Sequence, residues 1–224
     1  VYEYIEGVWN QLGLDIESDA ADDVSGSVAL SSAGDILAIG AENNDGNGGN
    51  SGHVRVVRYT AAGALGIGGF WNRLGLDIVG EAAGDESGGS VSLSSDGDIL
   101  AIGASNNIDN GNDSGHVRVF RYIEGVWNQL GLDIDGEAAE DFSGSSVSLS
   151  SDGTVLAIGA AQNDGNGVNS GHVRVFQYSD SAWAQLGEDI DGEAAGDASG
   201  FSVSLSSDAT RVAVGAPTNI KDDT

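Results

Sequence analysis

The sequence predicts an all-β protein, a β-propeller of four-stranded antiparallel blades with about four repeats of about 56 residues. One tryptophan recurs at intervals of 62, 56 and 56 residues, at Trp9, Trp71, Trp127 and Trp183. The peptide Gly-His-Val-Arg-Val also recurs, around His53, His116 and His172. No stretch keeps a 3.6-residue apolar period, which argues against helices.

Each repeat contains four strand signals, and the second repeat shows them most clearly. Ser90–Ser94 alternates polar and apolar residues, as a half-buried strand does, and Asp98–Gly103 is an almost continuous apolar run. His116–Tyr122 is rich in β-branched and aromatic residues, and Trp127–Ile134 supplies the fourth strand. The dipeptide at Asp96 and Gly97 predicts a tight hairpin between the first two strands.

The chain is treated as one propeller domain, residues 1–224, with approximate units 24–86, 87–142, 143–198, and 199–224 plus 1–23. Val1–Tyr4 matches the end of a third strand, and Thr224 falls in the loop that precedes one. The two ends therefore complement each other within one repeat. This predicts that a ring closes by combining N- and C-terminal strands, which removes sheet edges. The alternative is a four-blade segment of a longer array.

Composition excludes several classes of protein. The chain has 35 Asp and Glu against 8 Lys and Arg, a formal net charge of -27, and no Cys. The lack of Cys excludes a disulfide scaffold, a thiolate metal site and a cysteine nucleophile. The acidity argues against nucleic-acid partners, and no apolar run is long enough for membrane insertion.

The last repeat resembles an FG-GAP repeat, the blade of the integrin-α-type propeller. Gly200 and Phe201 approximate the first half of that motif in inverted order, and Gly215–Pro217 supplies the second half. The resemblance implies a calcium-supported, extracellular, non-enzymatic adhesion or scaffold role. Its calcium loop is not carried over, because Ser95–Asp98 is too short to wrap six to eight oxygen ligands around Ca²⁺.

The loop after the second strand is the predicted cation site. Its oxygen-bearing side chains alternate with glycines, a pattern that can chelate a hard cation such as Ca²⁺. The candidate metal ligands are Asp45, Asn47, Asp109, Asp164 and Asn166. The alternative is a solvated turn that uses Asn, Asp and Gly for positive φ angles.

The connections between repeats, at Asp133–Asp141 and Asp189–Asp197, carry more charge and are a second candidate for binding a divalent ion. Five of the eight basic residues lie in the third strands, and we expect one acid per repeat to pair with them. The three recurring histidines are interpreted as structural, since equivalent positions in a ring lie too far apart for one metal. The tryptophans are interpreted as packing residues.

Function is predicted to be non-catalytic, with no catalytic residue assigned. No Gly-x-Ser-x-Gly elbow is present, and nearly every acid has a counterpart in the other repeats. We expect an extracellular or cell-surface structural, adhesion or protein-interaction module, supported by calcium or high salt, which binds proteins or glycans or assembles with itself. A carbohydrate-binding propeller is the alternative, and a propeller hydrolase a more distant one.

Overall fold

The computed structural model describes residues 1–18, 20–61 and 69–219, and every regular element in these ranges is a β-strand. The chain begins with a hairpin of β1 (Tyr2–Ile5) and β2 (Val8–Gln11), whose side chains are all exposed. Glu6 and Gly7 join the two strands with φ angles of 50° and 91°. Two consecutive positive φ angles are what a two-residue hairpin turn requires.

The first complete sheet contains β3 (Ser25–Leu30), β4 (Ile36–Ala41), β5 (His53–Thr60), β6 (Phe70–Arg73) and β7 (Ile78–Val79). Four strands follow each other in space as they do in sequence, all antiparallel. The short β7 pairs with the first residues of β5, beyond the end of β6. This is the predicted four-stranded blade with one additional short strand.

Two further sheets repeat this arrangement. The second comprises β8 (Ser90–Leu93), β9 (Ile99–Ala104), β10 (His116–Ile123), β11 (Val126–Gln129) and β12 (Ile134–Asp135). The third comprises β13 (Ser146–Leu149), β14 (Val155–Ala160), β15 (His172–Ser179), β16 (Ala182–Gln185) and β17 (Ile190–Asp191). A final pair, β18 (Ser202–Leu205) and β19 (Val212–Gly215), forms a two-stranded sheet.

The fourth strand of each complete blade differs from the prediction, because it is divided. In the second blade the predicted Trp127–Ile134 strand becomes β11 and β12, separated by a turn. Gly131 lies in this turn with a φ of 84°, which a strand does not allow, and Leu130 before it is buried. The turn therefore anchors its leucine in the core and lets β12 return to β10.

The core lies between successive sheets. All six residues of β9 and all six of β14 are buried, as the continuous apolar runs predict. Leu100 and Ile102 pack with residues of the first sheet, and Leu156 and Ile158 with residues of the second. Each such side chain contributes about 1.5–3 kcal/mol of transfer free energy when it leaves water, so stacking of the blades stabilises the fold.

A glycine seam holds the blades together near their first strands. Cβ atoms added to Gly103 and Gly159 would lie 2.0 Å from the carbonyl oxygens of Gly144 and Gly200 in the next blades. The same contact joins Gly40 to Gly88 at 1.9 Å. Only glycine permits this approach of two backbones, so the seam fixes how closely consecutive blades pack.

The first strands β3, β8, β13 and β18 pack side by side in that order, as the inner strands of a propeller do. The chain is thus all-β and propeller-like, with three complete blades. The hairpin β1–β2 and the pair β18–β19 remain in separate sheets, so closure of a ring stays a prediction. The part of the chain described here contains no helix that could cross a membrane.

Candidate metal centres between the blades

A buried histidine without a hydrogen-bond partner marks the candidate site. His116 is the first residue of β10, and only 1% of it is exposed. Neither Nδ1 nor Nε2 makes a hydrogen bond with any residue that the structure describes. A buried polar atom left unpaired costs about 1–3 kcal/mol, so such an atom in a folded protein requires an explanation.

Three carboxylates surround this imidazole. Glu81 follows β7 of the preceding blade, Asp109 lies in the loop after β9, and Asp133 immediately precedes β12. One ligand atom from each of the four side chains lies within 4.8 Å of the others. His116 Nδ1 is 3.9 Å from Glu81 Oε2, which is too long for a hydrogen bond but suits two ligands of a common ion.

Burial favours the neutral form of His116. Burial, followed by the nearby Arg118 guanidinium, lowers the pKa of His116 below its ordinary value. Arg118 lies 3.6 Å from Glu81 Oε1 and donates a hydrogen bond to the backbone oxygen of Val79. A neutral imidazole has a free lone pair, which is the form that binds a metal ion.

An outer hydrogen bond orients one of the carboxylates. The Gln129 amide donates to Asp133 Oδ1 at 2.5 Å, and the equivalent Gln185 donates to Asp189 Oδ1 at 2.6 Å. The second oxygen of each carboxylate remains free to face the histidine cluster of its blade. Partners of this kind fix the direction of a metal-ligating side chain.

The third blade has the same arrangement with one ligand fewer. His172 Nδ1 lies 4.0 Å from Glu137 Oε2 and 3.9 Å from Asp189 Oδ2. Arg174 lies 3.7 Å from Glu137, and burial, then this arginine, lowers the pKa of His172. The position of Asp109 is taken by Gly165, so this cluster contains three groups.

The structure places the five predicted loop ligands in two different settings. Asp109 joins the cluster around His116, while the other four belong to contacts within and beside their loops. The carboxylates of Asp45 and Asp164 accept hydrogen bonds from the backbone nitrogens of Asn50 and Asn169. The side-chain amides of Asn47 and Asn166 donate to backbone oxygens of the next connection, at Gly80, Glu81, Gly192 and Glu193. Cation binding by these loops stays a prediction.

Sequence reasoning treated the histidines and the acidic connections separately and therefore missed Glu81, His116 and Asp133 as one group. The expected pairing of connection acids with strand arginines is confirmed by Arg118 with Glu81 and Arg174 with Glu137. A periodic signal in the sequence could have shown that these residues belong together. The motif Asp-Ile-x-Gly-Glu of the connections recurs at a constant spacing before Gly-His-Val-Arg of the next repeat.

Three of the four tryptophans pack between blades, as expected, whereas Trp9 is exposed. The indole nitrogens of Trp71, Trp127 and Trp183 donate hydrogen bonds of 2.7–2.8 Å to the backbone oxygens of Leu12, Leu74 and Leu130 in the preceding unit. Each of these rings also lines one of three equivalent interblade grooves. The largest groove, beside Trp183 and Arg174, has a volume of about 630 Å³.

Comparison with protein families supports the resemblance inferred from the motif. Residues 133–176 match the FG-GAP repeat. The predicted similarity to FG-GAP propeller repeats is therefore confirmed, with the match on the third blade. No curated protein matches the sequence as a relative.

Two solved structures resemble the chain in fold. One is a proposed 6-phosphogluconolactonase from Bacteroides fragilis NCTC 9343, with 13% identity, a TM-score of 0.54, and coverage of 87% of this chain and 43% of that one. The other is a proposed 6-phosphogluconolactonase from Bacteroides uniformis ATCC 8492, with 14% identity, a TM-score of 0.51, and coverage of 92% and 52%. At this identity the likeness concerns the fold, and the chain spans about half the length of these proteins.

The prediction that the chain is not an enzyme is wrong. This architecture does not exclude an enzyme, because two proteins with this fold are named as lactonases. The supporting argument was that nearly every acid has a counterpart in the other repeats, and Asp109 is an exception, because Gly46 and Gly165 occupy its position. The structure places Asp109 in the cluster around His116.

Proposed function

We propose that this chain is a metal-binding, protein-interaction propeller in which Glu81, Asp109, His116 and Asp133 hold a divalent cation between two blades. The observation that carries the proposal is the buried imidazole of His116, which has no hydrogen-bond partner among the described residues and faces three carboxylates. A cation would supply the missing partner and offset the mutual repulsion of the acids.

The bound ion would connect two blades. Glu81 comes from the connection that leaves the first blade, whereas the other three ligands belong to the second. Binding to the folded chain alone adds about 2.7 kcal/mol of stability at a metal concentration one hundred times the dissociation constant. The ion would therefore stabilise the relative position of the blades, and with it any surface that spans them.

The donor set favours a cation that accepts nitrogen. One imidazole with carboxylate oxygens suits Zn²⁺ or Mn²⁺, whereas Ca²⁺ prefers six to eight oxygen ligands. Calcium remains our prediction for the loops that contain Asp45 and Asp164. The two predictions concern different residues, so variants can separate them.

The partners that we propose are proteins or glycans of an extracellular surface or matrix. Repeated acidic blades offer several equivalent contacts, and linked contacts strengthen binding by raising the effective concentration. The net charge of -27 favours a medium with salt or divalent cations, in which self-repulsion is screened.

Thermal unfolding of the full chain tests the metal proposal. At fixed ionic strength, we expect a higher melting temperature with Zn²⁺ or Mn²⁺ than with EDTA. This difference should be smaller in His116→Asn. Mg²⁺ controls for general screening by a divalent ion. Equal melting with EDTA and with each metal would exclude the site, and a rise with Ca²⁺ that His116→Asn preserves would assign binding to the loops instead.

Carbohydrate binding is a second candidate, favoured by the three equivalent grooves that each combine a half-buried tryptophan with an arginine and an acid. Titration of the intrinsic tryptophan fluorescence with acidic and neutral oligosaccharides tests it. Saturable quenching that Trp183→Phe reduces would support this function. No saturable change with any sugar would remove it.

A further inference from the structure

A buried aspartate occurs at one repeated position in the connections between successive units. These aspartates are 1% to 5% exposed, and they are Asp23, Asp85, Asp141 and Asp197. Each accepts a hydrogen bond from the backbone nitrogen three residues earlier and so closes a turn of its own connection. Each also accepts a hydrogen bond from an asparagine amide in a loop of the next unit. We call this asparagine–aspartate contact the clamp, because it ties a connection to the blade that follows.

The clamp at the second blade is longer than the others. There the Asn107 amide nitrogen lies 3.4 Å from Asp85 Oδ1. The other three clamps measure 3.2 Å for Asn44–Asp23, 3.0 Å for Asn163–Asp141 and 2.9 Å for Asn219–Asp197. Both Asn107 and Asn163 are buried, so competition from solvent does not explain the longer contact.

A second carboxylate competes for the Asn107 amide. The same nitrogen lies 3.5 Å from Oδ2 of Asp109, one of the ligands proposed above. One amide is thus shared between two acceptors, and both distances are long for a hydrogen bond. Gly46 and Gly165 take the position of Asp109 in the first and third blades, so no such competitor exists there. The long clamp therefore occurs in the blade that has the additional acid.

The two residues of this clamp also hold the main chain beside two ligands. Asn107 Oδ1 accepts a hydrogen bond of 3.0 Å from the backbone nitrogen of Asp109. On the other side, the Ala82 nitrogen donates to Asp85 Oδ2 at 2.8 Å, and this turn begins directly after Glu81. The clamp therefore helps to set the position of Glu81 relative to Asp109, as outer hydrogen-bond partners do in metal sites.

We propose that Asn107 is a positioning residue for the cation between the first two blades, and that the cation in turn tightens the clamp. The proposal rests on the metal binding proposed above for the cluster around His116. A bound cation takes up the charge of Asp109, so the Asn107 amide is left to Asp85. The clamp then shortens toward the 2.9–3.2 Å of the other three. By linkage, the intact clamp strengthens binding of the cation by the same factor.

Isothermal titration calorimetry of the full chain with Zn²⁺ tests the positioning role. Asn107→Ala should weaken the tightest binding step about tenfold or more, as loss of an outer partner commonly does. Asn163→Ala is the matched control, because it breaks the same clamp at the next blade, where no residue equivalent to Asp109 exists. It should lower the melting temperature of the metal-free chain by a similar amount and leave the tightest step unchanged. Equal losses of affinity in the two variants overturn the proposal.

A double-mutant cycle separates positioning from general destabilisation. In an Asp109→Gly chain, Asn107→Ala should weaken Zn²⁺ binding much less than it does in the native chain, because the ligand that it positions is already lost. Additive losses would show that Asn107 acts without Asp109 and would overturn the proposal. A native chain that does not bind Zn²⁺ refutes the metal centre and this proposal with it, whereas unchanged binding in Asn107→Ala refutes the proposal alone.

Hydrogen exchange of single backbone amides measures the effect of the cation on the clamp. The Ala82 amide donates to Asp85, and the Ala194 amide makes the equivalent bond to Asp197 in a connection outside both histidine clusters. Saturating Zn²⁺ should slow exchange at Ala82 about fivefold or more and leave Ala194 unchanged. The slowing should be smaller in Asn107→Ala. An undiminished effect in that variant, or equal slowing at both amides, overturns the coupling.

Discussion

The clusters around His116 and His172 are a natural pair for comparison. Both join a strand histidine to a glutamate of the preceding blade and an aspartate of the same blade, and in both an arginine faces the glutamate. They differ because Asp109 adds a carboxylate to the first cluster, where Gly165 adds nothing to the second. Repetition supplies the common arrangement, and one loop residue makes the second blade distinct.

The comparison also separates structural from functional roles for the same residues. The arginine–glutamate pairs occur in both clusters, so they serve the packing of blades in general. The unpartnered ring nitrogens and the fourth ligand occur together at His116. Specialisation in this repeat protein is therefore found where one unit departs from the common pattern.

The largest expected effect comes from removing the imidazole. We expect His116→Asn to weaken Zn²⁺ binding at the first cluster by about 100-fold or more, because the nitrogen ligand is lost. His172→Asn should leave the tightest binding step unchanged, since it alters only the three-ligand cluster. Isothermal titration calorimetry measures both steps. Equal losses in the two variants would contradict the difference between the clusters.

A reciprocal exchange of one residue should convert each cluster toward the other. Asp109→Gly should weaken the first site about tenfold, corresponding to about 1.4 kcal/mol, because one carboxylate ligand is removed. Gly165→Asp should strengthen the second, since it adds a carboxylate at the position that Asp109 occupies in the first. Calorimetry with the double variant checks the exchange. An unchanged order of affinities would show that Asp109 is not a ligand.

The two buried histidines should contribute a loss of stability to the metal-free protein as the pH falls below about 6.5. The pKa values of His116 and His172 are lowered in the folded chain, chiefly by burial, so the unfolded chain takes up protons first. The loss reaches at most about 1.4 kcal/mol per histidine per pH unit, until the folded pKa is passed. Urea unfolding from pH 7 to pH 5 with EDTA measures it. His116→Asn should have a shallower slope than the native chain, and an identical slope would contradict this origin.

The smallest expected effect comes from the half-exposed glutamates. Glu81→Gln should weaken metal binding at the first cluster by roughly threefold, because solvent already screens much of this charge. Glu137→Gln should act comparably at the second cluster. Competition titrations with a colorimetric zinc chelator resolve changes of this size. A loss as large as that of His116→Asn would make Glu81 a principal ligand.

Much of the fold follows from the sequence because its signals are local and repeated. The apolar runs predict the buried β9 and β14, and the tryptophan spacing predicts the blades. The division of the fourth strand was not predicted, since it depends on Leu130 finding space in the core. That space is created by the packing of two blades, which no single repeat encodes.

The candidate metal centre was only partly predictable for a related reason. Asp109 was selected as an oxygen ligand, but for a loop site rather than for its contact with His116. Glu81 lies 35 positions before that histidine and belongs to another blade. Bringing them together requires the interblade geometry. Asp109 was also overlooked as a distinguishing residue, because equivalent positions of the repeats were compared for similarity rather than for difference.

The glycine seam fixes the rotation that relates one blade to the next. Since each step between blades is set by the contact of one backbone with another, side chains elsewhere can change without altering the angle through which the array turns. A blade added or removed would change the total arc by one whole step. In a ring closed by such blades, main-chain contacts would set the number of units, while the binding surfaces could diversify.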